Sequence, residues 1–409
     1  MSRSSASPPS SLDSRTTRAG DIIEAYLAQM AESGIAGATA RVVAARAGAS
    51  PSAINYHFDS LERLYGIAQL QAITETRGWL MARLAEAEAG APWPPAAFPP
   101  FATAVIDDWC THRRVLAQAE ACDSAAMAWE VSDTAGQWIG LWDEFWAVAL
   151  PRFSLPAHLA PVAAAVLQSE RFGHLARWRA PHDRAGLEEV CVRLTARLSG
   201  DTELLGRSAP WRTAAEALSQ RATIFPPLAG AAAKIAQAVV EAVDEGGEGA
   251  LTHRATAMRA GLSLGAVTHH FPTRTALMAA GYAWLYQSIV ASAQRAGAVS
   301  ADHDDLGRHI LTFLAVGQSA PRVRAFETFF FSATRDPALA DFAARVRYSR
   351  GATTFSFLGP VTPWLTRLDA LLISHWISGA ARRSSADPDG QGAAERAIPA
   401  FAGLLFPRP

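Results

Sequence analysis

Ser263 stands in Gly261-Leu262-Ser263-Leu264-Gly265, a G-x-S-x-G string of the kind that holds a nucleophilic serine, and His269 and His270 follow it side by side. The two features point to different chemistries. A serine hydrolase needs a strand leading into that turn, a helix leading out and distant acid and histidine partners. Here the residues before Gly261 read as helix, so Ser263 is expected to be a helix cap. Adjacent residues on a helix point about 100° apart, and no Cys, His or Asp stands four residues beyond either histidine, so no metal and no cofactor is expected. A phosphate-binding Gly-Lys-Ser/Thr loop and a dinucleotide fingerprint are absent from the sequence. The third chemistry is readout of base edges by polar side chains on a short helix, for which Pro51, Ser52, Asn55 and Tyr56 are spaced to point one way while Ala53, Ile54 and Phe58 point the other.

Such a helix has to be held by others, and the sequence supplies them twice. Positions 31–64 align without a gap to positions 244–277, 213 residues on, with 13 identities in 34, among them Thr39/Thr252, Arg41/Arg254, Arg46/Arg259, Gly48/Gly261, Ser50/Ser263, His57/His270 and Phe58/Phe271. A repeat this ordered reads as a tandem duplication. Its punctuation is that of two short helices joined by a tight turn, the arrangement that presents a helix to DNA. In the second copy Ala266, Val267 and Phe271 face inward, leaving Leu264, Gly265, Thr268 and His269 outward.

The elements follow from local signals. A first helix should run from about Thr17 to Ser33 and end at Gly34; Thr39 should cap a second, which stops at Gly48; Ser50-Pro51 should restart a third, because serine can accept an unpaired N–H and proline fits a first helical turn. A long helix follows from Asp59 toward Ala89. About five more are expected between Phe98 and Ser199, broken near Ala121, Thr134, Pro151–Pro156 and Pro181. The second trio is expected at Leu228–Glu245, Thr252–Ala260 and Leu264–His270, with a long helix from Pro272 and breaks near Gly297–Asp305, Ser319–Pro321, Pro337, Gly359–Pro363 and Ala386–Gly392. The chain is therefore expected to be all-α: a disordered tail at 1–16, a first head at 17–66, a first body at 67–199, a linker at 200–227 with a helix around Trp211–Arg221, a second head at 228–280 and a second body at 281–409.

Composition agrees. Of 409 residues half are hydrophobic and 18% charged, in Ala-rich stretches that favour helix. The net charge of −1 excludes a protein that coats nucleic acid indiscriminately, yet Gly37 to Phe58 holds two arginines and no acid, and Ala250 to Thr275 holds three arginines, three histidines and no acid. Cys110, Cys122 and Cys191 are odd in number and lack metal-site spacing, which fits a reduced cytoplasm. No apolar run has the roughly 18 residues of a membrane span.

These residues, written T-x-R-x-x-A-x-x-A-G-x-S-x-x-A-[IV]-x-x-H-F-x-x-[LR]-x-x-L, resemble the DNA-binding head of the tetracycline-repressor (TetR) family over about 50 residues in each half. The resemblance implies a head that binds a double-stranded DNA operator, a helical body that encloses an effector and terminal helices that pair with another subunit. Carried over by position, Thr39, Arg41, Ser50, Pro51, Ser52, Asn55, Tyr56 and His57 become DNA-contact candidates, with Thr252, Arg254, Ser263, Leu264, Gly265, Thr268 and His269 as counterparts. His57 and His270 have a second reading, as partly buried histidines that support the turn, and Arg46 and Arg259 read as structural or solvated. Where the family usually has a phosphate-binding lysine at the start of the long helix, this chain has Leu61 and Arg274. Leu264 and Gly265 leave the second head little for hydrogen-bonded readout, so a weaker or degenerate head is the alternative to two equal ones.

Trp138, Trp142, Phe145 and Trp146 form an aromatic row at helical spacing where a family member would line its effector pocket; Trp109 and Trp129 are candidates to share it, as are Phe326, Phe329, Phe330 and Tyr348 in the second half. Core packing is the ordinary explanation of such a row. An effector would be apolar or aromatic. The expected output is a ligand-released repressor whose two heads belong to one chain, a pseudo-dimer on an asymmetric operator. Helices near His158–Arg179 and Asp183–Ser199 would pack on those near Val361–Arg383 and Gly392–Leu405, with further homodimerisation open. The rival reading is a helical ligand-binding or protein-interaction module with degenerate heads.

Overall fold

Glycines and capping residues divide the chain where their backbone preferences require. A computed structural model describes residues 11–88, 90–124, 134–222, 228–295, 321–360, 362–386 and 390–405. They are all-α, with no strand among them. The first half holds α1 (Ser11–Gly37), α2 (Ala40–Arg46), α3 (Pro51–Phe58), α4 (Leu61–Glu86), α5 (Phe98–Trp109), α6 (Val115–Ser124), α7 (Thr134–Arg152), α8 (Ala160–His174) and α9 (Ala180–Ser199). Short α10 (Thr202–Leu205) and α11 (Pro210–Ala222) follow. The second half holds α12 (Gly230–Gly246), α13 (His253–Ala260), α14 (Leu264–His270), α15 (Arg274–Arg295), α16 (Pro321–Arg335), α17 (Ala340–Ser349), α18 (Ala352–Leu358), α19 (Arg367–Ala386) and α20 (Gly390–Leu405).

Several expectations need correction, among them the break near Ala121, which falls inside α6. The first helix begins at Ser11, inside the stretch 1–16 assigned to a disordered tail, because Leu12 to Thr17 continue into α1 without a breaker. The segment 200–227 is more than a linker: α11 packs against both α9 and α17, and its Arg212 is buried between the halves. The last helix starts at Gly390, within the expected break Ala386–Gly392. The breaks expected at Gly297–Asp305 and at Ser319 lie outside the described residues.

Each head packs a first helix and two short ones on the first turns of the long helix that follows. Residues 213 apart occupy matching core places: Ile22 and Ile235, Met30 and Val243, Ala44 and Ala257, Ile54 and Val267, Leu64 and Leu277 are all buried. Burying a leucine or isoleucine side chain stabilises by about 1.5–3 kcal/mol, so each matched position adds to the stability of its own head. The heads abut at the turn after their first helices, where a Cβ added to Gly249 would lie 3.4 Å from the Ala36 Cβ.

The bodies meet along α8 and α19. Ala165 and Gly379 set how closely: a Cβ on Gly379 would fall 2.2 Å from the Ala165 carbonyl oxygen, so only glycine allows the approach. One turn along, the Ser169 hydroxyl donates to the His375 carbonyl at 2.8 Å, and Phe172 meets Phe331 edge-on at 5.4 Å. Beside this contact, Trp376 stacks on Phe401 of α20 at 4.3 Å.

Candidate nucleic-acid interface

The turn between the second and third helices depends on a left-handed residue. Gly48 (φ 60°) and Gly261 (φ 64°) supply it, as Gly34 (φ 71°), where α1 kinks before its last residues, and Gly247 (φ 64°) supply the break at the end of the first helix. These conformations suit glycine and strain other residues. With the turns set, Ile54 and Phe58 anchor α3 and Val267 anchors α14, all buried. Pro51, Ser52, Asn55 and Tyr56 are exposed on α3, Tyr56 at 60%, and Leu264, Gly265, Thr268, His269 and His270 are exposed on α14, Leu264 at 51%. Thr39, Arg41, Ser50, Thr252, Arg254 and Ser263 are exposed beside them. The residues expected to reach base edges are therefore exposed in both helix trios.

Capping separates the two heads. In the second, Thr252 Oγ1 accepts from the Ala255 N–H and Ser263 Oγ from the Ala266 N–H, both at 3.1 Å. In the first, Thr39 and Ser50 occupy the capping positions without a side-chain cap bond, which corrects the expectation for Thr39; Ser50 Oγ instead lies 2.8 Å from Ser52 Oγ. Ser263 thus serves as a cap, entered from a helix, and the geometry of a nucleophile elbow is absent around it.

The arginines divide by partner. Arg46 binds Glu32 with both guanidinium arms, at 2.7 and 2.6 Å, and Arg259 binds Glu245 in the same two-pronged way. Both pairs tie the second helix to the first. The hydrogen bond from Arg46 lowers the Glu32 pKa, as that from Arg259 lowers the Glu245 pKa. At the start of the long helices, Leu61 packs partly against the core and Arg274 is exposed. His57 is half-buried, with its ring edge-on to Tyr56 at 5.0 Å, whereas His270 is exposed. The His253 side chain binds the Phe271 carbonyl at 2.8 Å, a clamp for which the first head has only Ala40. No cluster of His, Cys, Asp and Glu suited to a metal occurs among the described residues.

In the first body Trp109, Trp138, Trp142 and Trp146 are buried and lie against one another, with centroids 5.5 Å apart for Trp109 and Trp142 and 6.2 Å for Trp142 and Trp146. Trp138 Nε1 donates to Gln69 Oε1 at 2.9 Å and Trp109 Nε1 to Gln118 Oε1 at 3.0 Å. The buried indole N–H groups of Trp142 and Trp146 find no acceptor among the described residues, and the Arg171 guanidinium sits 3.8 Å over the Trp142 ring. Trp129 and the Phe326 side chain lie outside the described residues. Phe329, Phe330 and Tyr348 are buried, and the Tyr348 hydroxyl donates to Asp183 at 2.6 Å, across to the other half.

Sequence reasoning missed the charges buried between the bodies. Arg347 reaches Asp183 at 2.9 Å and Glu170 at 3.5 Å, Arg212 reaches Glu170 at 3.4 Å, and His375 donates from Nε2 to Glu170 at 2.7 Å. Burial alone would raise Glu170, but Arg212, the His375 hydrogen bond and Arg347 hold it well below the usual carboxylate range. Burial and Arg347 lower His174 to about 4, and burial lowers His375 to about 4, so both imidazoles are neutral near pH 7. The available signal was Gln168-Ser169-Glu170-Arg171 and His174 inside the otherwise apolar helix Ala160–His174.

Residues 22–66 match the family model described as bacterial regulatory proteins, tetR family. The match spans the first head from the buried face of α1 to the first turns of α4, and makes it a TetR-type DNA-binding domain. A domain of this type supports a transcriptional regulator. No curated protein matches the chain. No helix among the described residues is long and apolar enough to cross a membrane.

Proposed function

We propose that the chain is a ligand-released repressor, working on DNA in the cytoplasm, and that it arose by tandem duplication, so that one molecule carries both heads of an operator-reading pair. The observation that carries this is the exposed row Pro51, Ser52, Asn55 and Tyr56 on a buried helix-turn-helix frame that recurs 213 residues later. Family-type regulators set two heads about one helical turn apart, roughly 34–36 Å along the duplex. Here the packing of α8 on α19 does the work of a subunit interface, and α11 inserts beside it as the covalent connection.

The operator of such a molecule has unlike half-sites, because Ser-Pro-Ser-Ala-Ile-Asn-Tyr and Ser-Leu-Gly-Ala-Val-Thr-His present different outer residues. The first head reads bases through Asn55 and Tyr56 and meets phosphates with Thr39, Arg41 and Ser50. The second contributes through Arg254, Thr268, His269 and Arg274 and reads less. An effector that favours a body geometry with mis-spaced heads lowers operator affinity by population shift.

The test is binding of the purified full chain to DNA from around its own gene, with the mass of the complex measured. One chain on one asymmetric site supports the proposal, and Arg41→Ala with Tyr56→Ala should abolish the binding. A preferred site that is perfectly palindromic, or two chains required for binding, would remove the single-chain pairing. Absence of sequence preference at low salt, with both heads folded, would remove DNA readout itself.

A further inference from the structure

A cleft of about 210 Å³ lies where the connection between the halves crosses α9, and Leu368 of α19 closes it from the second half. One water takes roughly 10–15 Å³ by this measure, so the space holds a small organic molecule. Its wall includes Arg193 of α9, whose side chain is only 7% exposed. That guanidinium makes no hydrogen bond among the described residues, and its ionic contact there is with Asp369 at 3.9 Å. Asp369 is already engaged by others: it accepts from Arg197 Nε at 3.0 Å and from the Thr366 N–H and hydroxyl at 3.0 and 2.7 Å. Burial lowers the Arg193 pKa more than Asp369 raises it, so the cation is stripped of water without a full counter-charge. Buried donors are normally satisfied, and guanidinium N–H groups that line a cleft without a protein acceptor mark the place of a ligand that supplies one.

The other walls narrow the ligand. Arg207, exposed between α10 and α11, adds a second guanidinium that is bonded to no protein group among the described residues. Planar guanidinium forks match the two oxygens of a carboxylate. Two acids also line the cleft. Glu189 accepts from the Trp211 and Arg212 N–H groups at 2.9 and 2.8 Å, so its charge is held at the first turn of α11; Glu188 is exposed, where water and salt screen it. Val192, Leu204, Leu368 and the Trp211 indole supply apolar surface, which favours a hydrocarbon or aromatic body over a strongly hydrated ion such as phosphate.

We propose that this cleft binds the carboxylate of a small amphipathic acid, held by Arg193 and Arg207 with its apolar body against Trp211 and Leu368, and that the bound acid fixes the connection against both halves. The site is separate from the tryptophan row of the first body and does not depend on the regulator reading.

The experiment titrates the full chain with phenylacetate, with phenylacetamide as the uncharged counterpart and inorganic phosphate as the competing ion, by calorimetry and thermal shift, and follows hydrogen exchange along the chain. Phenylacetate should bind, raise Tm and slow exchange at 201–211, while the amide does none of these. Arg193→Met keeps a long apolar stem and should weaken phenylacetate at least about tenfold, the worth of one hydrogen bond to a charged group. Arg207→Gln should weaken it less, and Glu188→Gln should leave it intact or tighten it; both residues are exposed, so neither change disturbs the core. If Arg193→Met disturbs folding by circular dichroism, Val192→Phe, which fills the cleft from a half-buried position, gives the same reading. Equal affinity for acid and amide, preference for phosphate, protection confined to segments away from the connection, or undiminished affinity in folded Arg193→Met and Val192→Phe would overturn the site.

Discussion

The two heads share a frame and differ in what they set on it. Ile54 and Val267, Leu64 and Leu277, the left-handed Gly48 and Gly261 and the pairs Arg46–Glu32 and Arg259–Glu245 hold the same places 213 residues apart. The outer faces diverge: Ser52, Asn55 and Tyr56 on α3 stand against Gly265, Thr268 and His269 on α14. The helix-turn-helix geometry therefore depends on a few buried and glycine positions, and the outer face is free to vary over it. The second head is also more tied to itself, with two cap bonds and the His253 clamp that the first lacks.

The largest effect should come from breaking the shared frame with one substitution made twice. Leu64→Ala and Leu277→Ala each truncate a fully buried leucine, which costs about 2–5 kcal/mol. Either should lower Tm and remove the contribution of its own head to operator binding. If one is silent in both thermal melts and DNA affinity, the frames are not equivalent.

Next comes the reading face. Asn55→Ala or Tyr56→Ala should cost about 1–3 kcal/mol of operator affinity per lost base contact, with Tm unchanged because both residues are exposed. Thr268→Ala and His269→Ala should cost less. Fluorescence anisotropy on operators with one half-site scrambled at a time assigns each loss to a head, and a larger loss in the second head reverses the ranking.

A smaller contrast lies at the start of the long helices. Arg274→Leu should flatten the log–log salt dependence of DNA binding by about 0.9, the slope of one phosphate contact, and Leu61→Lys should steepen it by a similar amount. Affinity measured across a salt series gives both. An unchanged slope for Arg274→Leu would take Arg274 off the phosphate backbone.

The capping contrast is smaller again. Thr252→Ala removes a real cap bond and should destabilise by about 1 kcal/mol, while Thr39→Ala removes none and should act on DNA affinity instead. Thermal melts of the two variants separate the cases. Equal melting losses would mean that both threonines cap in solution.

How much of this was legible depended on how local the cause was. Gly34, Gly48, Ser50-Pro51 and the alternation of Ile54 and Phe58 with Asn55 and Tyr56 act within a few residues, so the first helix-turn-helix could be read from the sequence. Thr39 and Thr252 are the same residue in the same motif, and which one closes its cap bond depends on side-chain geometry that spacing does not encode. The buried charges between the bodies were out of reach for another reason: Asp183 and Arg347 are 164 residues apart and Glu170 and His375 are 205 apart. Nothing near Glu170 in sequence says that its partners come from the other half. The tryptophan row was legible as a row, but its burial was expected for a core and for a pocket alike.

The smallest expected effect is also the one that most directly tests whether the two heads are copies. Arg46 and Arg259 lie in the basic stretch beside the reading face, so a charge count alone would assign both to phosphates. Their geometry assigns them elsewhere, because each guanidinium is spent on a two-pronged bond to the glutamate fourteen residues before it. Both pairs are exposed to solvent, where salt screens them and their worth is slight. Arg46→Ala and Arg259→Ala should therefore each leave operator affinity and its salt slope unchanged and lower Tm only marginally. Because each pair holds its glutamate pKa down, that marginal stability should fade as pH falls through the titration of Glu32 or Glu245, in the same way for both heads. A tenfold loss of affinity in one variant, with its fold intact, would show that one copy has redeployed the arginine to DNA and that the heads differ in frame as well as in face.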